Sequence, residues 1–193
     1  MAKQTIEIEV PDGKKAVWKD GRIEFVPVNP MERIKDFDDA FYYLKENKLC
    51  LDLLDECVHA PSGSYSETLC KYRIVVAALT ANETRHLTTG ECWFPVVQFC
   101  RPKDIKNRYG DCVIGYIESE GQRFAVVGGS VYYGAGAGLG GFGSNRGVSG
   151  SWTDVGFRSV SSKEVAEYIS KQFGRLLFDV HYGGVNCNWK WID

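Results

Sequence analysis

The order of the hydrophobic periodicities along the chain is the feature that most restricts its fold. Apolar residues recur three or four positions apart from residue 34 to residue 79, and strand-like alternation dominates after Gly90. One more helical segment follows residue 162, and Trp189 and Trp191, two positions apart, predict a last strand with both indoles on one side. Segregated helices and strands of this kind predict an α+β fold, in which helices pack on an antiparallel sheet.

The first 28 residues predict an N-terminal β-hairpin arm or a three-stranded meander. Apolar and acidic residues alternate over TIEIEV, and a second alternation includes Ile23 and Phe25. The turn signals PDG and KDG divide this region. Because so short a sheet is marginally stable in water, we expect the arm to pack on another surface.

Residues 29–60 are interpreted as a helical linker segment that leads to a main α+β domain at residues 61–193. Asn29 followed by Pro30 is typical of a helix start, since proline suits the first helical position. An apolar stripe then runs through FDDAFYYLKEN, and the same period continues in LCLDLLDECV.

Two longer helices are predicted in the main domain. Ser66 is expected to begin the first, ETLCKYRIVVAALTANE, which we expect to be buried. Ser161 and Glu164 have the spacing of a capping box, so we expect the last helix to begin there. Its predicted apolar stripe consists of Val165, Ile169, Phe173 and either Leu176 or Leu177.

Four strands are predicted between these two helices: CWFPVVQFC, DCVIGYIES, QRFAVVGG and WTDVGFRSV. Glu120 and Gly121 separate the second strand from the third, which predicts an antiparallel hairpin.

A glycine-rich stretch lies between the third and fourth predicted strands. Ten glycines occur from Gly128 to Gly150, and three of them have the spacing G-x-G-x-x-G. A dinucleotide fingerprint requires a helix directly after its glycines, and FGSNRG cannot start one. We therefore predict a long irregular loop that forms a binding face for a protein or a small ligand. The predicted residues of this face are Tyr132, Tyr133, Phe142, Arg146, Trp152 and Arg158.

Other chemistry finds little support in the sequence. Cys92, between Glu91 and Trp93, has neighbours like those of a papain-type nucleophile, but the strand-forming residues after it do not provide the helix N-terminus that such a cysteine uses. Neither cysteines nor histidines occur at the spacings of a tetrahedral metal site. We predict no catalytic residue, no metal and no cofactor.

Composition restricts the partners and the compartment. A net charge of −2 argues against nucleic acid as a partner, because phosphate binding depends on clustered Lys and Arg. No apolar run is long enough for a membrane span, and the N-terminus lacks the apolar region of a signal peptide. Seven cysteines without paired spacing favour a reducing compartment. We therefore expect a chain that does not enter a membrane; its oligomeric state stays open.

Two parts of the chain resemble small uncharacterised proteins of phages and prophages of gut bacteria. The first is EIEVPDGKKAVWKDGRIEF, and the second is W-F-P followed by VGFRSVSSKEVAEYISKQFGRLLFD. In those proteins a strand leads into a helix with the pattern E-x-A-x-Y-x-x-x-Q-F, which Glu164, Ala166, Tyr168, Gln172 and Phe173 match. The resemblance implies an origin in a mobile element and a location in the bacterial cytoplasm or in a virion. It implies no catalytic residues.

These observations favour a non-enzymatic phage or prophage accessory protein, a binding module for a host protein or a small ligand. Two alternatives stay open. One is a virion structural or fibre-associated component that assembles through the N-terminal strands, whose edges invite pairing. The other is an enzyme with an unrecognised site, which requires His181 or Cys92 beside a carboxylate.

Overall fold

The computed structural model describes residues 7–11, 13–81, 92–102, 113–133, 160, 162–183 and 189–192. Within these residues the chain has the predicted α+β fold. The strands are β1 (Lys14–Lys19), β2 (Arg22–Pro27), β3 (Cys92–Cys100), β4 (Val113–Ser119), β5 (Gln122–Tyr133) and β6 (Trp189–Ile192). The helices are α1 (Pro30–Arg33), α2 (Phe37–Glu46), α3 (Leu51–His59), α4 (Tyr65–Leu79), α5 (Lys163–Gln172) and α6 (Gly174–Tyr182).

The main sheet is antiparallel and has the strand order β3-β5-β4-β6. The predicted β4–β5 hairpin is confirmed, with Ser119 paired to Gln122 across the turn. On the other side of β3, Val160 and Trp93 exchange two backbone hydrogen bonds of 2.8 Å each. Val160 ends the predicted strand WTDVGFRSV, whose other residues lie outside the described part of the chain.

Helices cover the sheet in successive layers. α5 packs on β3 and β5, α6 contacts β3 and β4, and α4 packs on α6. α2 and α3 then pack on α4, so that α4 is buried as predicted, with Tyr72, Ile74 and Val75 fully enclosed. Residues from 29–60 join the same core as the later helices, and the domain boundaries at residues 28 and 60 stay predictions.

The start of α4 differs from the prediction. Ser64, not Ser66, is the N-cap, because its hydroxyl oxygen accepts a hydrogen bond of 3.1 Å from the backbone N–H of Glu67. The Glu67 carboxylate in turn accepts from the N–H of Gly63, the residue before the cap. A hydrogen bond from Lys71 and this backbone bond lower the pKa of Glu67. The helix therefore begins where a serine satisfies its first free N–H groups.

The predicted last helix is wrong in two respects. Its N-cap is Ser162 rather than Ser161, since the Ser162 hydroxyl accepts from the Val165 N–H at 3.2 Å. The single predicted helix is also two helices, because Phe173 leaves helical geometry with φ −112° and ψ 23°. The predicted apolar positions Val165, Ile169, Phe173 and Leu177 are nevertheless buried.

The N-terminal arm is a two-stranded hairpin, the first of the two predicted alternatives. β1 pairs with β2 from Lys14↔Pro27 to Lys19↔Arg22, and residues 7–11 belong to no strand. The predicted helix start is confirmed, since the Asn29 side chain accepts from the Met31 N–H at 2.9 Å. α1 is short, however, and Asp36 caps α2 as a separate helix.

Candidate functional site

The binding face predicted around the glycine-rich stretch lies mostly outside the described residues. Tyr132 and Tyr133 are the last two residues of β5, and their backbones pair with Trp93 and Cys92 of β3. The four remaining predicted residues, Phe142, Arg146, Trp152 and Arg158, fall outside the described part of the chain. Whether the six residues form one face therefore stays a prediction.

An exposed apolar face on the hairpin arm is the candidate site that the structure does describe. In the β1–β2 register Ala16 lies opposite Phe25, and Trp18 lies opposite Ile23. Directly opposed residues of an antiparallel pair project to the same side of the sheet, so these four form one apolar patch. Trp18 is 73% exposed, and Ile23 and Phe25 are each 38% exposed. We call these four residues the arm face.

The opposite side of the arm carries most of its charged residues, together with Val17 and Val26, and is joined to the helices. The Lys15 ammonium donates to both carboxylate oxygens of Glu32 in α1, at 2.8 and 2.6 Å. Arg22 pairs with Glu24 at 2.7 Å, and Lys19 lies 3.8 Å from the same carboxylate. Because the charged side holds the arm against α1, the arm face is left toward solvent.

Sequence analysis did not select Trp18, although the signal was present. Ala16 and Trp18 alternate with the residues around them, and the turn KDG fixes how β1 and β2 pair. Together these features place Trp18 beside Ile23. What the alternation leaves undetermined is whether another part of the chain covers that side.

A second concentration of aromatic side chains lies where β6 meets α6. Phe178 is almost fully buried, and its ring centroid lies 4.6 Å from that of Tyr182, 5.1 Å from Trp189 and 5.2 Å from Trp191. The predicted placement of both indoles on one side of the last strand is therefore confirmed. Rings packed this closely around one another form part of the core rather than an open cage.

Asp179 is the titratable group of this cluster. The Trp191 indole Nε1–H donates to its carboxylate at 3.3 Å, and the Arg175 guanidinium lies 5.0 Å from the centre of the Trp191 ring. Burial raises the pKa of the Asp179 carboxyl, although the Trp191 hydrogen bond and the Arg175 charge oppose this effect. Since the hydrogen bond joins α6 to β6, the carboxyl holds the last strand in place.

Residues of the E-x-A-x-Y-x-x-x-Q-F pattern have structural contacts in α5. The Tyr168 hydroxyl donates to the Ile34 carbonyl at 2.6 Å, and the Gln172 amide donates to the Lys35 carbonyl at 2.7 Å. Glu164 accepts a hydrogen bond from the Ser162 cap. The helical pattern therefore fixes α5 against the turn between α1 and α2.

Cys57 and Cys70 are buried thiols that are not activated as nucleophiles. Burial raises the pKa of Cys57, and it raises the pKa of Cys70 to about 11, so both thiols stay protonated at neutral pH. His59 contacts the Asp55 backbone carbonyl, and the His181 ring packs beside Tyr182. Among the described residues, no group of three or more His, Cys, Asp or Glu is placed to hold a metal ion.

The described helices include none that combines the length and the apolar character needed to cross a membrane. No protein-family model matches the chain, and neither a curated protein nor a solved structure matches it.

Proposed function

We propose that this chain is a non-enzymatic accessory protein of a phage or prophage, and that it is a binding module for a host protein. The observation that carries the proposal is the arm face, where Trp18 is 73% exposed beside Ile23 and Phe25. Contiguous exposed apolar surface of this kind marks interaction sites, and tryptophan is prominent among the residues that dominate binding energy.

The shape of the arm favours a protein over a small ligand. Small-molecule sites are concave and enclose most of the ligand. A two-stranded hairpin instead presents an open face, which suits the flat surface of a protein partner. Lys14 lies on the same side of the arm and borders the arm face, as expected for the polar rim of an interface. Partner binding also supplies the packing that a two-stranded sheet lacks.

The proposed location is the cytoplasm of the bacterial host or the virion, and it rests on the resemblance of EIEVPDGKKAVWKDGRIEF and the α5 region to phage proteins. The balanced charge of the chain supports a protein partner rather than nucleic acid.

The test uses Trp18→Ala with Tyr42→Ala as its matched control. Tyr42 is 58% exposed on α2 and therefore provides an exposed aromatic side chain away from the arm. A host protein captured by the full chain is purified, and its affinity for each variant is measured by calorimetry. We expect Trp18→Ala to weaken binding by about 30-fold or more, and Tyr42→Ala to leave it unchanged. Equal binding by wild type and Trp18→Ala contradicts the proposal.

A virion structural component is the second candidate function. The observation that favours it is the hairpin sheet, which within the described residues consists of β1 and β2 alone, so that each strand has an outer edge without a partner strand. Light scattering after size exclusion separates the two functions. A stable trimer or larger ring supports the virion component, whereas a monomer or a closed dimer supports the accessory protein.

A further inference from the structure

Residues 7–10, Glu-Ile-Glu-Val, have the alternation of a strand but form none. All four are exposed, and Ile8 and Val10 leave 40% and 41% of their surfaces in contact with solvent. They immediately precede the arm, whose strand β1 pairs only with β2 among the described residues. An alternating segment and a strand edge that no described residue occupies therefore lie next to each other in the chain.

The turn between them restricts how they can pair within one chain. The Lys14 N–H donates to the Pro11 carbonyl at 3.1 Å, with two residues between them. If the chain continued from this turn as a hairpin, Pro11 would pair with Lys14. Proline has no N–H to complete the hydrogen bonds of that closing pair.

The same register also sends the side chains to the wrong sides of the sheet. Counting back from the turn, Glu9 comes opposite Ala16, and Glu7 comes opposite Trp18. Both glutamates would lie on the apolar arm face. Ile8 would lie opposite Val17, and Val10 would lie opposite Lys15 on the charged side. A shift of one residue would remove both glutamates from the arm face, but the two-residue turn does not allow it.

We propose that residues 7–10 pair instead with a second copy of this chain, as a third strand on the outer edge of its β1. The turn does not join the segment of a second copy to this β1, so it does not fix the register between them. The segment can therefore adopt the antiparallel register in which Ile8 lies opposite Trp18. Val10 then lies opposite Ala16, so the apolar side chains join the arm face. In this register Glu7 lies opposite Lys19 on the charged side.

Charge complementarity identifies the second copy as the occupant. Residues 7–10 contain two glutamates and no basic residue. Residues 14–27 contain four basic residues and two acidic ones, and three of the basic residues are lysines of β1. Opposite charges on neighbouring strands stabilise pairing. Exchange of segments between two copies about a two-fold axis gives each β1 a partner on its outer edge and limits the assembly to a dimer.

The inference goes beyond the proposed function and does not depend on it. The added strand gives each arm three strands and widens the apolar face, because Ile8 and Val10 extend it. Self-association is measured on the purified chain alone, so its loss is distinguishable from the loss of host-protein binding.

The first experiment reverses the charge of the segment in the full chain. Sedimentation equilibrium should show a concentration-dependent dimer for the wild type. Glu7→Lys with Glu9→Lys should raise its dissociation constant about tenfold or more, because repulsion replaces attraction in each exchanged strand. The matched control is Glu118→Lys with Glu120→Lys, which makes the same charge change at the same spacing on the β4–β5 hairpin. The control should dimerise as the wild type does.

The second experiment restores the attraction between two different chains. Lys19→Glu should also weaken the dimer, since it places two acidic groups opposite each other. An equimolar mixture of this variant with Glu7→Lys/Glu9→Lys should form a heterodimer about tenfold tighter than either homodimer. Circular dichroism of each variant confirms that the fold is retained.

Three results overturn the inference. One is a wild-type chain that stays monomeric up to about 1 mM. Another is a dimer that Glu7→Lys/Glu9→Lys leaves unchanged. The last is a mixture that shows no preference for the heterodimer, because the association would then not depend on Glu7 and Lys19.

Discussion

The arm and the C-terminal strand β6 carry similar local patterns in opposite environments. In the arm, Trp18 alternates with Ala16 and is 73% exposed. In β6, Trp189 and Trp191 have the same spacing of two, but both rings pack within about 5 Å of Phe178. Alternation thus determines that the aromatic residues share a side, while a separate helix determines whether that side is covered.

The covering element explains the difference. α6 presents Phe178 to both indoles and Asp179 to the Trp191 N–H, so β6 gains apolar packing and a hydrogen bond. The helix next to the arm, α1, spans only four residues, and its Glu32 binds Lys15 on the charged side of the hairpin. The arm face is therefore open to a partner, whereas β6 is part of the core.

The largest expected effect is the loss of the covered aromatic cluster. Phe178→Ala should lower the free energy of unfolding by about 3–5 kcal/mol, because it removes a buried ring that three others contact. Urea denaturation followed by tryptophan fluorescence measures this change. A loss below about 1 kcal/mol would show that β6 is no better packed than the arm.

Substitution of Gly128 tests how closely α5 packs on the main sheet. A Cβ at this position would lie 2.6 Å from the backbone carbonyl oxygen of Ser170 in α5. Gly128→Ala should therefore lower the free energy of unfolding by about 1–3 kcal/mol, since a backbone carbonyl cannot move aside as a flexible side chain does. Thermal denaturation measures the effect, and an unchanged midpoint would mean that α5 lies farther from β5.

Asp179→Asn should raise the free energy of unfolding at neutral pH, by less than the loss expected for Gly128→Ala. Because the pKa of Asp179 is raised in the fold, the folded chain holds this proton more tightly than the unfolded chain does. The stabilisation that this group contributes is therefore complete below its unfolded pKa of 3.8, and it is lost as the pH rises through the folded pKa. Asparagine stays uncharged and still accepts from Trp191.

The measurement is the melting temperature of both proteins as a function of pH. The variant should melt above the wild type at about pH 7, and the difference should shrink toward pH 3.8. A variant that melts below the wild type at neutral pH would show that the attraction to Arg175 outweighs the cost of burial.

The smallest expected effect is at the arm face. Trp18→Ala should change the free energy of unfolding by less than about 0.5 kcal/mol, measured at a concentration where the chain is monomeric. An exposed side chain loses little packing when it is truncated, although the same change should weaken partner binding by about 30-fold or more. A loss like that of Phe178→Ala would mean that another part of the chain covers the arm face.

Sequence analysis predicted the elements more accurately than their ends. The stripe of α4 and the spacing of Trp189 and Trp191 led to correct elements, because side-chain periodicity follows directly from backbone geometry. Helix starts were displaced by one or two residues where serines compete. Ser64 and Ser66 both suit an N-cap, and only the contacts of Glu67 and Gly63 select Ser64.

The candidate site was harder to predict than the fold. The binding face predicted from the sequence lies mostly outside the described residues, and Trp18 is not among the residues predicted for it. Trp18 is exposed because, within the described structure, no helix covers that side of β1 and β2. Such coverage is non-local, and no local pattern in KKAVWK encodes it.

The sequence by itself determined the α+β class, the hairpin arm, the buried character of α4 and the shared side of the two C-terminal indoles. These properties depend on propensity, turn chemistry and periodicity, which act over a few neighbouring residues. The tertiary structure alone decided that the last helix bends at Phe173, that Asp179 holds β6, and that the arm face is exposed. Those outcomes depend on contacts between residues far apart in the chain, where packing rather than local preference determines the lowest free energy.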